Sequence, residues 1–164
     1  MKRLILMRHA KSDWSDPMTT DHERGLNARG IASAKALGRW LEEHKLMPDL
    51  VLCSDATRTR ETLALLNLSS AEKAFSRELY LAEPDVMLRL VMQQTADCMM
   101  IVAHNPGIAM LAASLPSDEP DHDEFDTYPT GATLVVEFDI GTWREIALNT
   151  GSLAHFTVPR DIMR

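Results

Sequence analysis

The stretch "LILMRHAKSDW", Leu4 to Trp14, sets the reading of the chain. Arg3–Met7 is a short apolar run with the character of a buried strand, and it stops abruptly at Arg8 and His9. Two later runs repeat the pattern. Leu50–Cys53 leads into Ser54, with Arg58 one helical turn further on, and Cys98–Ala103 leads into His104-Asn105. In open α/β sheets ligands gather beyond the carboxyl ends of the strands. If these three strands run parallel, Arg8, His9, Arg58 and His104 converge on one spot.

The segments between the strands support that arrangement. Asn27 is a helix N-cap candidate, followed by Ile31, Ala34, Leu37 and Leu41 at helical spacing, and Pro48-Asp49 ends that helix. Ser54 leads into a helix across Arg58, Thr62 and Leu66. Glu83-Pro84-Asp85 starts another, with Met87, Leu90 and Val91 as its inner face. Asn105-Pro106 begins a helix reaching about Leu115. Leu134–Phe138 and Arg144–Leu148 read as two final strands joined around Asp139-Ile140-Gly141-Thr142. The alternation predicts an α/β three-layer sandwich, a mostly parallel central sheet flanked by helices, in one domain over 1–164.

The 164 residues are 45% hydrophobic and carry a net charge of −7. Such a chain is a poor general binder of nucleic acid or of an anionic membrane. Its apolar runs are too short to cross a bilayer, and nothing at the N-terminus resembles a signal peptide, so the expected location is cytoplasmic. Cys53 and Cys98 lie in apolar strand-like stretches outside any CxxC, and are read as buried thiols.

Two guanidiniums and two imidazoles suit anion handling. Arginine presents a planar fork of donors that matches phosphate oxygens. Histidine attacks phosphorus through an unprotonated ring nitrogen, and an acceptor on its other nitrogen fixes the tautomer. No Cx5R, no GxxxxGK[ST] and no cluster of metal ligands competes for the role. No metal or other cofactor is therefore expected.

The residues resemble the histidine phosphatase superfamily, the phosphoglycerate mutase-like family. "LMRHAKS" (6–12) matches its RHG or RHA strand end. "LCSDATRTRETL" (52–63) is similar to its S-x-x-x-R-x-x-x-T element, "VAHNP" (102–106) to its second-histidine strand end, and "YPTGATLVVEF" (128–138) to a segment near the end of its small members. The short length and "DHERGLNARG" (21–30) bring the chain closest to SixA-type phosphohistidine phosphatases. The resemblance implies a phosphoglycerate mutase-like fold, His9 as a nucleophile that becomes phosphorylated, and Arg8, Arg58 and His104 as holders of the phosphoryl oxygens. It places Asp21 and Arg24 at the pocket's edge and Asn105 and Thr130 at the rim, while Ser54 and Thr62 match motif positions that cap or pack. Ala10 stands where the larger members have Gly, and Asp55 where Pro is common.

Larger members supply a carboxylate general acid after the central helical region. Here that neighbourhood reads "RELYLAEPD" (77–85), which puts Tyr80 or Leu81 in its place, with Glu78 and Glu83 nearby. Asp21 is the first candidate for the acid. About 35 residues separate the Arg58 helix from the third strand, too few for a helical lid, so an open site is expected. An open site suits phosphohistidine on a protein, and it also admits small phosphate esters. A mutase and a non-catalytic module that binds phosphorylated partners are the other readings. The acidic stretch "SDEPDHDEFD" (117–126) is expected to be solvated.

Overall fold

In the computed structural model, which describes residues 1–163, one six-stranded sheet runs through the chain. Arg164, within the expected domain range, lies outside the described residues. The strands are β1 (Lys2–Arg8), β2 (Leu50–Ser54), β3 (Glu72–Ser76), β4 (Cys98–Ala103), β5 (Thr133–Phe138) and β6 (Ser152–Thr157), in the order β3-β2-β4-β1-β5-β6. β3, β2, β4 and β1 are mutually parallel, and β5 runs antiparallel to both β1 and β6. The fold is the expected α/β sandwich with a mostly parallel sheet.

The period-2 geometry of a strand separates the two faces. Leu4 and Leu6 join the core against α3 (Pro84–Met92) and α4 (Gly107–Ser114), while Ile5 and Met7 join the core beneath α1 (Ala28–Glu43) and α2 (Thr57–Leu66). A terminal turn, α5 (Pro159–Ile162), packs beside α1. β1 is thus buried on both faces, which is why it reads as a continuous apolar run.

The Asn27 side chain accepts from Gly30 N at 2.8 Å, the expected N-cap. Gly30 itself is required by space: a Cβ there would lie 2.0 Å from the Lys11 carbonyl oxygen. α1 therefore starts hard against the chain leaving β1. Ile31, expected on the inner face, is exposed, and Gly30 takes that side instead.

The structure corrects two other expectations and adds a strand. Arg144–Leu148 is not a strand. Trp143–Glu145 forms a 3-10 turn closed by a Thr142–Glu145 capping box, and the last strand is Ser152–Thr157. β3 escapes apolar pattern reading because it is an edge strand whose Glu72, Lys73, Ala74 and Phe75 are exposed. Cys98 is only partly buried, unlike Cys53, and both thiols are free. The acidic stretch is largely solvated as expected, except that Phe125 plugs into the core and His122 pairs with Asp161 at 2.7 Å. No helix of the described residues is long and apolar enough to cross a membrane.

Candidate active site

Because β2, β4 and β1 are adjacent and parallel, their carboxyl ends share one edge of the sheet. There Arg8, His9, Arg58 and His104 line a single cavity of about 420 Å³, together with Arg24, Asn105 and Thr130. The cavity wall also includes Lys11, Ser12, Trp14, Leu81 and Pro129, which sequence reasoning did not select. Trp14 had a local signal in retrospect, a tryptophan five residues past His9 in a polar loop. Leu81 had none beyond its place in the resemblance.

The tip of β1 is held on two sides. Gly131, at φ +79°, turns its N–H onto the Arg8 and His9 carbonyls at 3.1 and 2.9 Å. That left-handed backbone is cheap only for glycine. Thr62 Oγ1 accepts from Ala10 N at 3.0 Å and donates to the Arg58 carbonyl at 2.7 Å, so this motif threonine ties the loop after His9 to α2.

His9 is buried, and its Nδ1 donates to the Ala10 carbonyl at 2.7 Å. That bond leaves Nε2 as the unprotonated nitrogen, 3.3 Å from Arg58 Nε–H. His104, 5.3 Å away between ring centroids, places Nε2 2.7 Å from Ser54 Oγ. Burial, joined by the charge of Arg8, pushes the His9 pKa down to about 3 against the Ala10 carbonyl. Burial and the Arg58 charge push His104 down to about 3 as well. Both rings are neutral at pH 7. Burial and then the Arg58 charge also lower Arg8.

Three buried side-chain atoms of the described residues find no partner in the chain: Arg8 Nε, His104 Nδ1 and Asn105 Oδ1. All three belong to residues of this cavity. Arg8 Nη1 and Asn105 Nδ2 both donate to the Tyr128 carbonyl, at 3.2 and 3.0 Å, which anchors the two side chains and fixes the orientation of the amide.

The carboxylates are elsewhere. Among the described residues none lines the cavity. Asp21 sits behind it, 2.8 Å from Arg24 Nη2 and 3.2 Å from Arg58 Nη2, and accepts from the Tyr80 hydroxyl. Burial alone would raise its pKa, but hydrogen bonds from Tyr80 and Arg24 and the Arg58 charge together hold it far below the usual carboxylate range. An ionised carboxylate has no proton to give, so the geometry argues against the acid role expected for Asp21 and makes it a clamp on two arginines. Glu78 pairs with Arg89 at 3.5 Å, and Glu83 is the exposed residue before α3. Tyr80 stands edge-on between His22, at 4.8 Å, and His104, at 5.4 Å. Asp55 holds that His22 at 2.8 Å.

A strand-end cavity lined by neutral imidazoles and several guanidiniums marks an α/β protein with a site suited to an anion. Comparison agrees. Residues 4–81 match the model of the histidine phosphatase superfamily, branch 1. The chain is 31% identical to the uncharacterized protein ML1117 of Mycobacterium leprae, covering 94% of this chain and all of that one. Its fold superposes on a Nakamurella multipartitia protein assigned as the phosphohistidine phosphatase SixA, with a TM-score of 0.84, 30% identity and 96% of both chains covered. It also superposes on a protein from Agrobacterium tumefaciens given the same assignment, with a TM-score of 0.78, 28% identity, and 96% and 98% covered. The chain belongs to the histidine phosphatase superfamily, whose members are phosphatases or mutases, and within it is SixA-like.

Proposed function

We propose that the chain, as one domain over 1–164, is a cytoplasmic phosphatase that works through a covalent phosphohistidine on His9 and acts on phosphohistidine in proteins. The observation that carries this reading is the pair of unpartnered buried nitrogens on Arg8 and His104. Arg8 Nε is a donor, His104 Nδ1 is one in the tautomer that the Ser54 hydroxyl favours, and both residues line the cavity that holds the neutral His9 ring. A buried donor without a partner costs about 1–3 kcal/mol. An anion between them recovers that cost and brings its phosphorus to the nucleophile.

In the first step Arg8, Arg24, Arg58 and His104 hold the phosphoryl oxygens, with Asn105 and Thr130 at the rim. The Nε2 lone pair of His9 attacks phosphorus in line, and the bond to the leaving group breaks with its electron pair. The His9 Nδ1–H stays on the Ala10 carbonyl and takes up the charge that develops on the ring. In the second step water attacks phosphorus, the Nε2–P bond breaks, and inorganic phosphate departs. Phosphoryl transfer depends mostly on alignment and charge stabilisation, and here the cationic side chains supply both.

Among the described residues no carboxylate lines the cavity, and this bears on the substrate. An alkoxide needs a proton to leave well. The ring of a phosphohistidine takes its proton from solvent before P–N cleavage and leaves as neutral imidazole, so it needs no acid in the cavity. This supports phosphohistidine over a small phosphate ester. SixA is also what the two solved relatives are assigned as.

The test incubates the protein with a histidine-phosphorylated protein and, separately, with p-nitrophenyl phosphate, each with a chelator present. Phosphate release from the phosphoprotein, an acid-labile phosphoenzyme, and loss of both in His9→Ala are expected. Release only from the ester would favour a metabolite phosphomonoesterase, and release from neither would favour a binding module.

A further inference from the structure

One wall of the cavity has no task in this mechanism. Trp14 lines it and is 74% exposed, whereas Trp40 and Trp143 are 8% and 0% exposed. A large indole left in water forgoes the burial that aromatic side chains normally gain. The ring is nevertheless held. The Arg24 guanidinium lies 3.6 Å from its centroid, and Arg24 is itself buried and tied to Asp21 at 2.8 Å. One face of the indole is therefore backed by a fixed cation and the other is open.

Leu81, far away in sequence, lines the same cavity and is 53% exposed. Its backbone sits at φ +52°, a left-handed conformation that disfavours a leucine. It follows Tyr80, whose hydroxyl is bound to the same Asp21 that holds Arg24. Two exposed apolar side chains thus border a cavity with a cationic floor, and one carboxylate organises the supports of both.

We propose that Trp14, backed by Arg24, is a stacking platform for a planar leaving group, with Leu81 as the other apolar contact. The site would then select phosphoryl groups carried on an aromatic ring such as imidazole over those carried on aliphatic amines or alcohols. The inference rests on the phosphatase reading and adds the residues that choose the leaving group. A flat heteroaromatic ring makes broad dispersion contact with an indole face, and ammonia or a short alkyl chain does not.

The test compares phosphoimidazole with phosphoramidate, which share a P–N bond but leave as a ring and as ammonia. Stacking on an aromatic side chain is worth about tenfold or more. Trp14→Ala is expected to lower kcat/KM for phosphoimidazole about tenfold and to change it less than twofold for phosphoramidate. Trp14→Phe should recover most of the loss. Equal losses on both substrates would mean that Trp14 only steadies Arg24, and no loss on either would mean that it contacts nothing; both results overturn the platform. Turnover of neither substrate by the wild type, with no release from the phosphoprotein or p-nitrophenyl phosphate either, would instead reject the phosphatase reading. Emission then decides separately, because Trp14 is the one exposed indole among the described residues. In His9→Ala, phosphoimidazole should quench or shift that emission and phosphoramidate should not. Equal responses, or none, would end the proposal.

Discussion

Ser54→Ala removes one buried oxygen with two bonds. Ser54 Oγ accepts from Ala56 N–H at 3.3 Å, so its own hydrogen is free to point at His104 Nε2, 2.7 Å away. That makes Nε2 the acceptor and Nδ1 the protonated nitrogen of a neutral ring, and Nδ1 belongs to the cavity. Both residues are essentially fully buried, at 0% and 1% exposure, so water does not replace the lost hydroxyl. The stranded Nε2 should cost about 1–3 kcal/mol. For a chain of this size that is a fall in Tm of about 3–10 °C. Without the serine the tautomer is no longer fixed, and a ring with its lone pair toward phosphate repels it. Losing one such donor outright costs about 100- to 1,000-fold. Partial loss should lower kcat on p-nitrophenyl phosphate by about 10- to 100-fold, with Ser54→Thr largely retaining it. Nitrogen NMR of His104 reads the tautomer directly. An unchanged Nδ1–H signal with unchanged kcat in Ser54→Ala would refute the reasoning, even if the protein melted earlier.

Stability should fall on mild acidification. His9 and His104 are pushed down to about 3, chiefly by burial, while the unfolded chain holds them near 6.5. The unfolded state therefore binds more protons between those values, so their contribution is complete above pH 6.5 and is lost as the pH drops toward 3. At pH 5.5 each forfeits about 1.4 kcal/mol, so urea melts should show a loss of about 3 kcal/mol relative to pH 8, roughly halved in His104→Asn; a flat profile would contradict the neutral-ring assignment. Gly30→Ala gains up to about 1 kcal/mol of helix propensity but drives a methyl to 2.0 Å from the Lys11 carbonyl oxygen. Thermal melts should show a net destabilisation of about 1–3 kcal/mol, and a stabilised variant would mean that α1 does not start where described.

The three site-bearing strands were legible because each is buried and apolar up to its last residue or two, so the change to Arg8-His9, Ser54 and His104 is abrupt. β3 was not legible, because an exposed edge strand carries no apolar pattern and owes its place to pairing with β2. The last strand was misplaced for a related reason. Trp143 and Ile146 gave an apolar signal that belongs to a capped turn over the core, while Ser152–Thr157 is half exposed. Within the site, residue types announced the cations, but hydrogen-bond partners at long sequence separation decided what each one does. Asp21 looked like a free acid from a loop, and only the fold reveals the three donors around it. Ser54 looked like a helix cap, and only the adjacency of β2 and β4 brings it to His104.

The same adjacency explains how a chain of net charge −7 gathers positive charge at one edge of its sheet. Arg24 and Arg58 are buried, and two desolvated guanidiniums side by side need an anion within reach. Asp21 supplies one charge to both, leaving Arg8, among the described residues, with only the Tyr128 carbonyl. Three guanidiniums against one carboxylate leave a local excess of positive charge that the surface acids, at a distance and in water, screen poorly. That excess also acts on the histidines. With Arg8 and Arg58 beside it and little water around it, His9 rejects a proton, which keeps the Nε2 lone pair available. The charge that suits a phosphoryl group therefore adds to burial, the larger cause, in keeping the His9 ring unprotonated. Weakening it at Arg8 or Arg58 should impair both functions together, so neither arginine can be treated as a binding residue alone.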